Sequence, residues 1–315
     1  MECKKQKSMQ WNIRLQEEIR TNRNGQFVTL SFTDEALNEL DKEIQNNIEK
    51  SINEINNNHN KYLETKEITG YNLDNDIAKL AVRKYLERYR KENKKSLKHW
   101  LVTELGHTNT ERIHIHGIIF GNPKQIIKHW KYGRVWIGEY VNESTIQYIV
   151  KYIYKTDTDH KYYNPIVMTS PGIGNNYINR SDAQRNKFNG KQTKDTYTTR
   201  QGKKISLPTY YKYKIYSEDE KERLWINLLD KEERWVNGTK TDISKDETDY
   251  NRVLEHARNI NRKLGYGERE INPDDKEYER QKRNIKRYTR LVKENQEVIK
   301  GKGRDKEPLQ KPKRS

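Results

Sequence analysis

Residues 99–105 and 112–120 are two short runs rich in apolar and β-branched residues, parted by Gly106-His107-Thr108-Asn109. This juxtaposition constrains the chain more than any other feature. The runs are short and bounded by turn residues, so they read as neighbouring antiparallel strands. Within the second, Ile115 separates His114 from His116. Side chains alternate across a strand, so both imidazoles project from one face while Ile115 points into the core. Two neutral imidazoles on one face can hold a divalent cation and leave positions for a carboxylate, water and a phosphate oxygen. The spacing alone describes two solvated strand histidines equally well. Glu104, ending the first run, is a carboxylate that antiparallel pairing can bring beside them; His107 on the turn is a rival ligand.

Other elements follow from periodicity and punctuation. Residues 26–32 read as a strand, and Thr33 can cap a helix running through Leu37, Leu40 and Ile44. The asparagine density of 46–60 is expected to break or fray that helix, while 77–95 carries a helical apolar stripe. Pro123 stops strand pairing, and 133–138 reads as another strand. A helix over 145–155, capped by Asn142 or Ser144, places Ile146, Ile149, Val150 and Ile153 on one face. Residues 157–204 are polar and turn-rich, 207–216 are expected to run extended along the core, and 217–265 read as charged helices. From Lys276 onward, Lys, Arg and Glu dominate, and Gly301, Gly303, Pro308 and Pro312 punctuate the end. This predicts a fraying helix and a disordered basic tail that tethers DNA.

Tyr148 and Tyr152 are four apart on the 145–155 helix, so their rings share a face. Tyr85 and Tyr89 have the same spacing, and core packing is the default reading of both pairs. Lys151 and Lys155 distinguish the first, because a cation beside a phenol stabilises its phenolate and attracts a phosphodiester.

Lys and Arg number 63 against 46 Asp and Glu, a formal charge of +17, which calls for a polyanionic partner such as nucleic acid. Cys3 is the one cysteine of the chain, so no internal disulfide or cysteine zinc site forms, which suits a reducing cytosol. The first ten residues lack an apolar signal segment, and no apolar stretch approaches membrane-spanning length. The 21 tyrosines against 4 phenylalanines suit a wet surface where rings stack on bases, and equally suit an AT-rich genome.

His114-Ile115-His116 followed by Tyr148-Ile-Val-Lys151-Tyr152 resembles the HUH endonuclease superfamily. The order and flanks resemble the replication initiators of microviruses, especially the gokushovirus branch. Thr29 to Thr33 is similar to that family's first motif, Glu104-Leu105-Gly106 with residues 112–121 to its second, and Tyr148 to Lys155 to its third. Pro171-Gly172-Ile173-Gly174 with Tyr177, and Leu207-Pro208 with Tyr210-Tyr211, resemble segments that follow. The resemblance spans 26–216, leaving 1–25 as an N-terminal extension and 217–315 as a charged helical region ending in the tail.

It implies an α+β fold in which a central antiparallel sheet of four or five strands, flanked by helices, carries the histidines. It implies Mg²⁺ or Mn²⁺ on His114, His116 and Glu104, no small-molecule cofactor, and attack by Tyr148 or Tyr152, assisted by Lys151, on single-stranded origin DNA. A 5′-phosphotyrosine and a 3′-hydroxyl primer result, for rolling-circle replication of a circular phage genome in the bacterial cytoplasm. The chain carries no Gly-x4-Gly-Lys-Ser/Thr segment, so a host helicase and polymerase are the expected partners. An HUH transposase or relaxase, and a non-enzymatic nucleic-acid-binding protein whose tyrosines merely stack, are the competing readings.

Overall fold

The computed structural model describes residues 2–59, 64, 66–106, 111–138, 141–155, 159–200, 202, 204–236, 239–263 and 272–302. In chain order these form α1 (Glu2–Thr21), β1 (Gly25–Leu30), α2 (Asp34–His59), α3 (Gly70–Asn93), β2 (Lys98–Leu105), β3 (Ile113–Phe120), α4 (Pro123–His129), β4 (Val135–Gly138), α5 (Glu143–Val150) and β5 (Val167–Thr169). There follow α6 (Ser181–Gln184), β6 (Thr196–Thr198), β7 (Lys204–Ser206), α7 (Thr209–Ile215), α8 (Glu218–Asp230), β8 (Glu233–Val236), β9 (Thr239–Asp242), α9 (Thr248–Lys263) and α10 (Pro273–Lys302). The described residues of Met1–Ser31 and Val82–Ile271 form one compact unit, and those of Phe32–Ala81 and Asn272–Ser315 a second.

The first unit is α+β, built on a five-stranded antiparallel sheet in the order β4-β1-β3-β2-β5, with β3 at its centre. Alternation splits the strands cleanly. Val28, Leu30, Leu101, Leu105, Ile113, Ile115 and Ile119 are buried on one face. On the other, Trp100, Val102, Ile118 and Phe120 are covered by Leu15 of α1 and by Ile146, Ile149 and Val150 of α5. Burying each such aliphatic side chain stabilises by roughly 1.5–3 kcal/mol, which anchors α5 against the sheet. The Ser8 hydroxyl donates to the Val150 carbonyl at 2.8 Å, tying α1 to the end of α5. Gly117 allows β2 and β3 to approach: a Cβ there would lie 2.1 Å from the Trp100 carbonyl oxygen.

A second core in this unit consists largely of tyrosines. Tyr177, Tyr197, Tyr211 and Tyr216 are buried with Ile13, Ile205 and Leu207. The two segments that follow the third motif meet here, the Tyr211 hydroxyl donating to the Gly174 carbonyl at 2.9 Å. Much of the tyrosine excess therefore builds core, and α1, from the stretch set apart as an extension, supplies Ile13 and Leu15 to the two cores.

In the second unit α10 is held by charge. Arg287 grips Asp41 of α2 through Nε and Nη2 at 2.6 and 3.0 Å, and Arg283 forks onto Asp74 of α3 at 2.8 Å through both nitrogens. Bidentate pairs of this kind are the strong form of ion pair. The expectation of a fraying helix from Lys276 is thus corrected for residues up to 302: the charges that argued against a core find partners on two other helices. The rest of the tail lies outside the described residues.

Three further expectations change. α2 runs unbroken to His59, because asparagine costs a helix interior only about half a kcal/mol and Ile48 and Ile52 continue the half-buried stripe. Residues 209–215 are helical rather than extended, starting after Pro208 and burying Tyr211. Among the charged helices, 233–242 forms the β8–β9 pair, whose strands are separated by Asn237-Gly238, a dipeptide that favours hairpin turns. Among the described residues no helix is long and apolar enough to cross a membrane.

Candidate active site

α1 and α5 cover only part of the sheet face, and the open part carries the site. Cross-strand neighbours share a face, so the register Glu104↔His114, Val102↔His116, Thr29↔His116 and Thr29↔Trp136 sets Glu104, both histidines, Thr29 and Trp136 side by side. Glu104 Oε2 lies 2.9 Å from His116 Nε2, and its other oxygen accepts from Lys155 Nζ. The Nδ1 of His116 meets the Thr29 hydroxyl at 3.0 Å. Such a partner on the second ring nitrogen fixes tautomer and ring orientation. The His114 ring centre is 6.4 Å from that of His116, and its imidazole hydrogen bonds to the Arg112 backbone.

Electrostatics keeps these groups in defined states. Burial, reinforced by the neighbouring His116, lowers the His114 pKa below the ordinary imidazole value, favouring the neutral ring. Burial alone would raise the Glu104 carboxyl, but hydrogen bonds from His116 and Lys155 bring it below the usual carboxylate range. Glu104 is therefore an anion at neutral pH.

The tyrosines approach from the end of α5. Asn142 caps this helix through a reciprocal box with Thr145. The α-helix ends at Val150 and a 3-10 turn carries 151–153, so Tyr152 stands one element beyond Tyr148 rather than on the same α-helix. The rings still meet edge to face, and the Tyr152 hydroxyl donates to the Tyr148 oxygen at 2.7 Å. Tyr152 is 7% exposed and stacks on His116 at 4.6 Å with the planes 9° apart, whereas Tyr148 is 51% exposed. Burial, the Tyr148 contact and the Glu104 charge push the Tyr152 phenol above its ordinary value, so it stays protonated.

Of the residues singled out from sequence, Glu104, His114, His116, Tyr148 and Tyr152 come together. Lys151 is exposed, and the described lysine contacts are made by Lys155, whose Nζ also sits 5.4 Å from the Tyr152 ring centre. His107 lies outside the described residues. Tyr85 and Tyr89 are buried, against Trp130 and His129 respectively. Sequence reasoning missed Thr29 and Trp136 as site residues, because their place depends on which strand pairs with β1.

Among the described residues no three His, Cys, Asp or Glu side chains form a group that could hold a metal. The Glu104–His116 pair nevertheless suits one. Neighbouring ligands of a six-coordinate ion with bonds of about 2.1 Å stand about 3 Å apart, and carboxylate with neutral imidazole is a donor set for Mn²⁺ or Mg²⁺.

Residues 65–157 match a family model of replication-associated proteins, the ORF2 class. That stretch contains Glu104, both histidines, both tyrosines and Lys155, so the match falls on the site and supports a replication-initiator role. No curated protein and no solved structure matches the chain.

Proposed function

We propose that this chain is an HUH-type endonuclease that nicks single-stranded DNA at a replication origin and so begins rolling-circle copying of a circular phage genome. The carrying observation is the exposed Tyr148 oxygen accepting the Tyr152 hydroxyl, with Tyr152 stacked on His116 beside the Glu104 carboxylate.

Tyr148 acts first, being the solvent-accessible phenol of the pair. Its oxygen attacks the phosphorus of the scissile diester as its proton passes to water, and Tyr152 supports the charge on that oxygen by its donated hydrogen bond. A tyrosine–phosphorus bond forms and the bond to the 3′-oxygen breaks. That oxygen takes a proton from water and becomes the 3′-hydroxyl that a host polymerase extends behind a host helicase. Esterification turns the Tyr148 oxygen into a poorer acceptor and frees the Tyr152 hydroxyl to attack the regenerated junction. Lys155 holds Glu104 in place and adds positive charge beside Tyr152. Glu104 and His116, with His114 next to them, would hold Mg²⁺ or Mn²⁺, with Thr29 orienting the His116 ring. Such an ion supplies neutralisation of the phosphate charge.

The test incubates the protein with labelled single-stranded circles of its parent replicon and Mn²⁺, followed by peptide mapping of any protein–DNA adduct. A nucleotide on Tyr148 is expected, with some on Tyr152. No adduct, or one confined to Tyr85, Tyr89 or Tyr154, defeats the reading.

A further inference from the structure

Trp136, 54% exposed on the edge strand β4, is a large apolar ring that the chemistry above does not use. Its ring meets Phe27 edge to face at 5.5 Å, and Phe27 meets Tyr148 in the same manner at 6.3 Å. A continuous row of rings therefore runs from the edge of the sheet to the attacking phenol. Gly138 keeps the row in place: a Cβ there would come within 3.0 Å of the Trp136 ring and 3.1 Å of Phe27. Along β1, two residues before Phe27, Gly25 lines a cleft of about 400 Å³ shared by Arg20, Arg23 and Arg200. Open π-faces next to guanidinium groups suit a polymer of flat bases on a negative backbone.

Resting on the nicking reading, we infer that Trp136 and Phe27 form a stacking platform for a base of single-stranded DNA next to the scissile phosphate. The backbone of that strand runs toward the arginine cleft. The platform reads no base edge, so it fixes the position of the strand and not its sequence. By holding that base it sets the scissile phosphate in front of Tyr148. Loss of the ring should weaken binding by an amount that depends on bases being present, which separates stacking from charge.

The experiment measures anisotropy of a fluorescein-labelled oligothymidylate of about thirty nucleotides, and of a base-free deoxyribose-phosphate chain of equal length. Full-length protein is used in chelator, so that no cleavage occurs. Trp136→Ala should bind oligothymidylate about tenfold more weakly, with the base-free chain bound as before. Trp136→Phe should retain most of the affinity, and Trp225→Ala, which removes another exposed tryptophan (62%) on α8, all of it. Equal weakening on both probes, or none on either, overturns the platform. Unchanged DNA binding with altered self-association in sedimentation also overturns it, assigning the rings to protein contact. Base-dependent binding by a protein that never forms an adduct would sink the nicking reading alone. An adduct-forming protein whose Trp136→Ala variant binds as wild type would sink the platform alone.

Discussion

The chain carries two tyrosine pairs at the same four-residue spacing, each with one ring against a histidine, and they have opposite fates. On α3, Tyr85 and Tyr89 are buried, Tyr85 against Trp130 and Tyr89 edge to face with His129. The Tyr85 hydroxyl is buried without a hydrogen-bond partner, and burial raises its pKa. At the end of α5, Tyr152 stacks flat on His116 and passes its proton toward Tyr148, whose oxygen faces solvent. The lesson is that spacing prepares a shared face, and what the face meets decides whether a phenol is packing or chemistry. Beside Tyr89 stands a buried histidine whose Nε2 is 3.6 Å from the Glu92 carboxylate, too far for a hydrogen bond. Beside Tyr152 stands one bonded to a carboxylate and a threonine.

The largest effect that can break this comparison is loss of the nucleophiles. Tyr148→Phe with Tyr152→Phe should remove adduct formation by several orders of magnitude, while Tyr85→Phe with Tyr89→Phe leaves it intact. A gel assay of labelled single-stranded DNA decides this, and an adduct surviving in the first double variant breaks the contrast outright. Next comes stability: Tyr85→Ala opens a core cavity and should cost about 3–5 kcal/mol in urea unfolding, against within about 1 kcal/mol for exposed Tyr148→Ala. Equal costs would mean that the two pairs are packed alike. Thr29→Val removes the partner that orients His116 and should slow adduct formation about ten- to a hundredfold, with Thr29→Ser restoring most of the rate. A wild-type rate in the valine variant would separate Thr29 from the site. The smallest effect is the sharpest. Tyr85→Phe deletes an unpaired buried hydroxyl and should leave stability unchanged or raise it by up to about 1 kcal/mol, whereas Tyr152→Phe loses a hydrogen bond and should lower it by about 1 kcal/mol. Thermal unfolding of the two variants with opposite signs confirms that only one pair is used for hydrogen bonding.

Much of the site was legible before any fold. The alternation in 112–120 fixed both histidines on one side of a strand, and the antiparallel reading of 99–105 placed Glu104 opposite His114, as observed. The strand over 26–32, the Thr33 cap and the Asn142 cap also follow local rules and are present, the Thr33 hydroxyl accepting from the Ala36 amide at 3.2 Å. Where local rules failed, distant partners had changed the balance. The asparagine-rich end of α2 stays helical, and α10 is ordered by arginines reaching Asp41 and Asp74, more than two hundred residues away in the chain.

The choice of lysine shows the same limit. Lys151 and Lys155 both flank Tyr152 in sequence, but the α-helix gives way to a 3-10 turn at Lys151, and the changed rotation sends Lys155 to Glu104. Period and punctuation by themselves determined the strands, most helices, the histidine face and the two candidate tyrosine pairs, because these depend on neighbours within one or two turns of chain. Strand order alone brought Thr29 and Trp136 beside His116, and packing alone buried one tyrosine pair and opened the other. Those outcomes depend on contacts between residues far apart in sequence, whose geometry no local pattern carries.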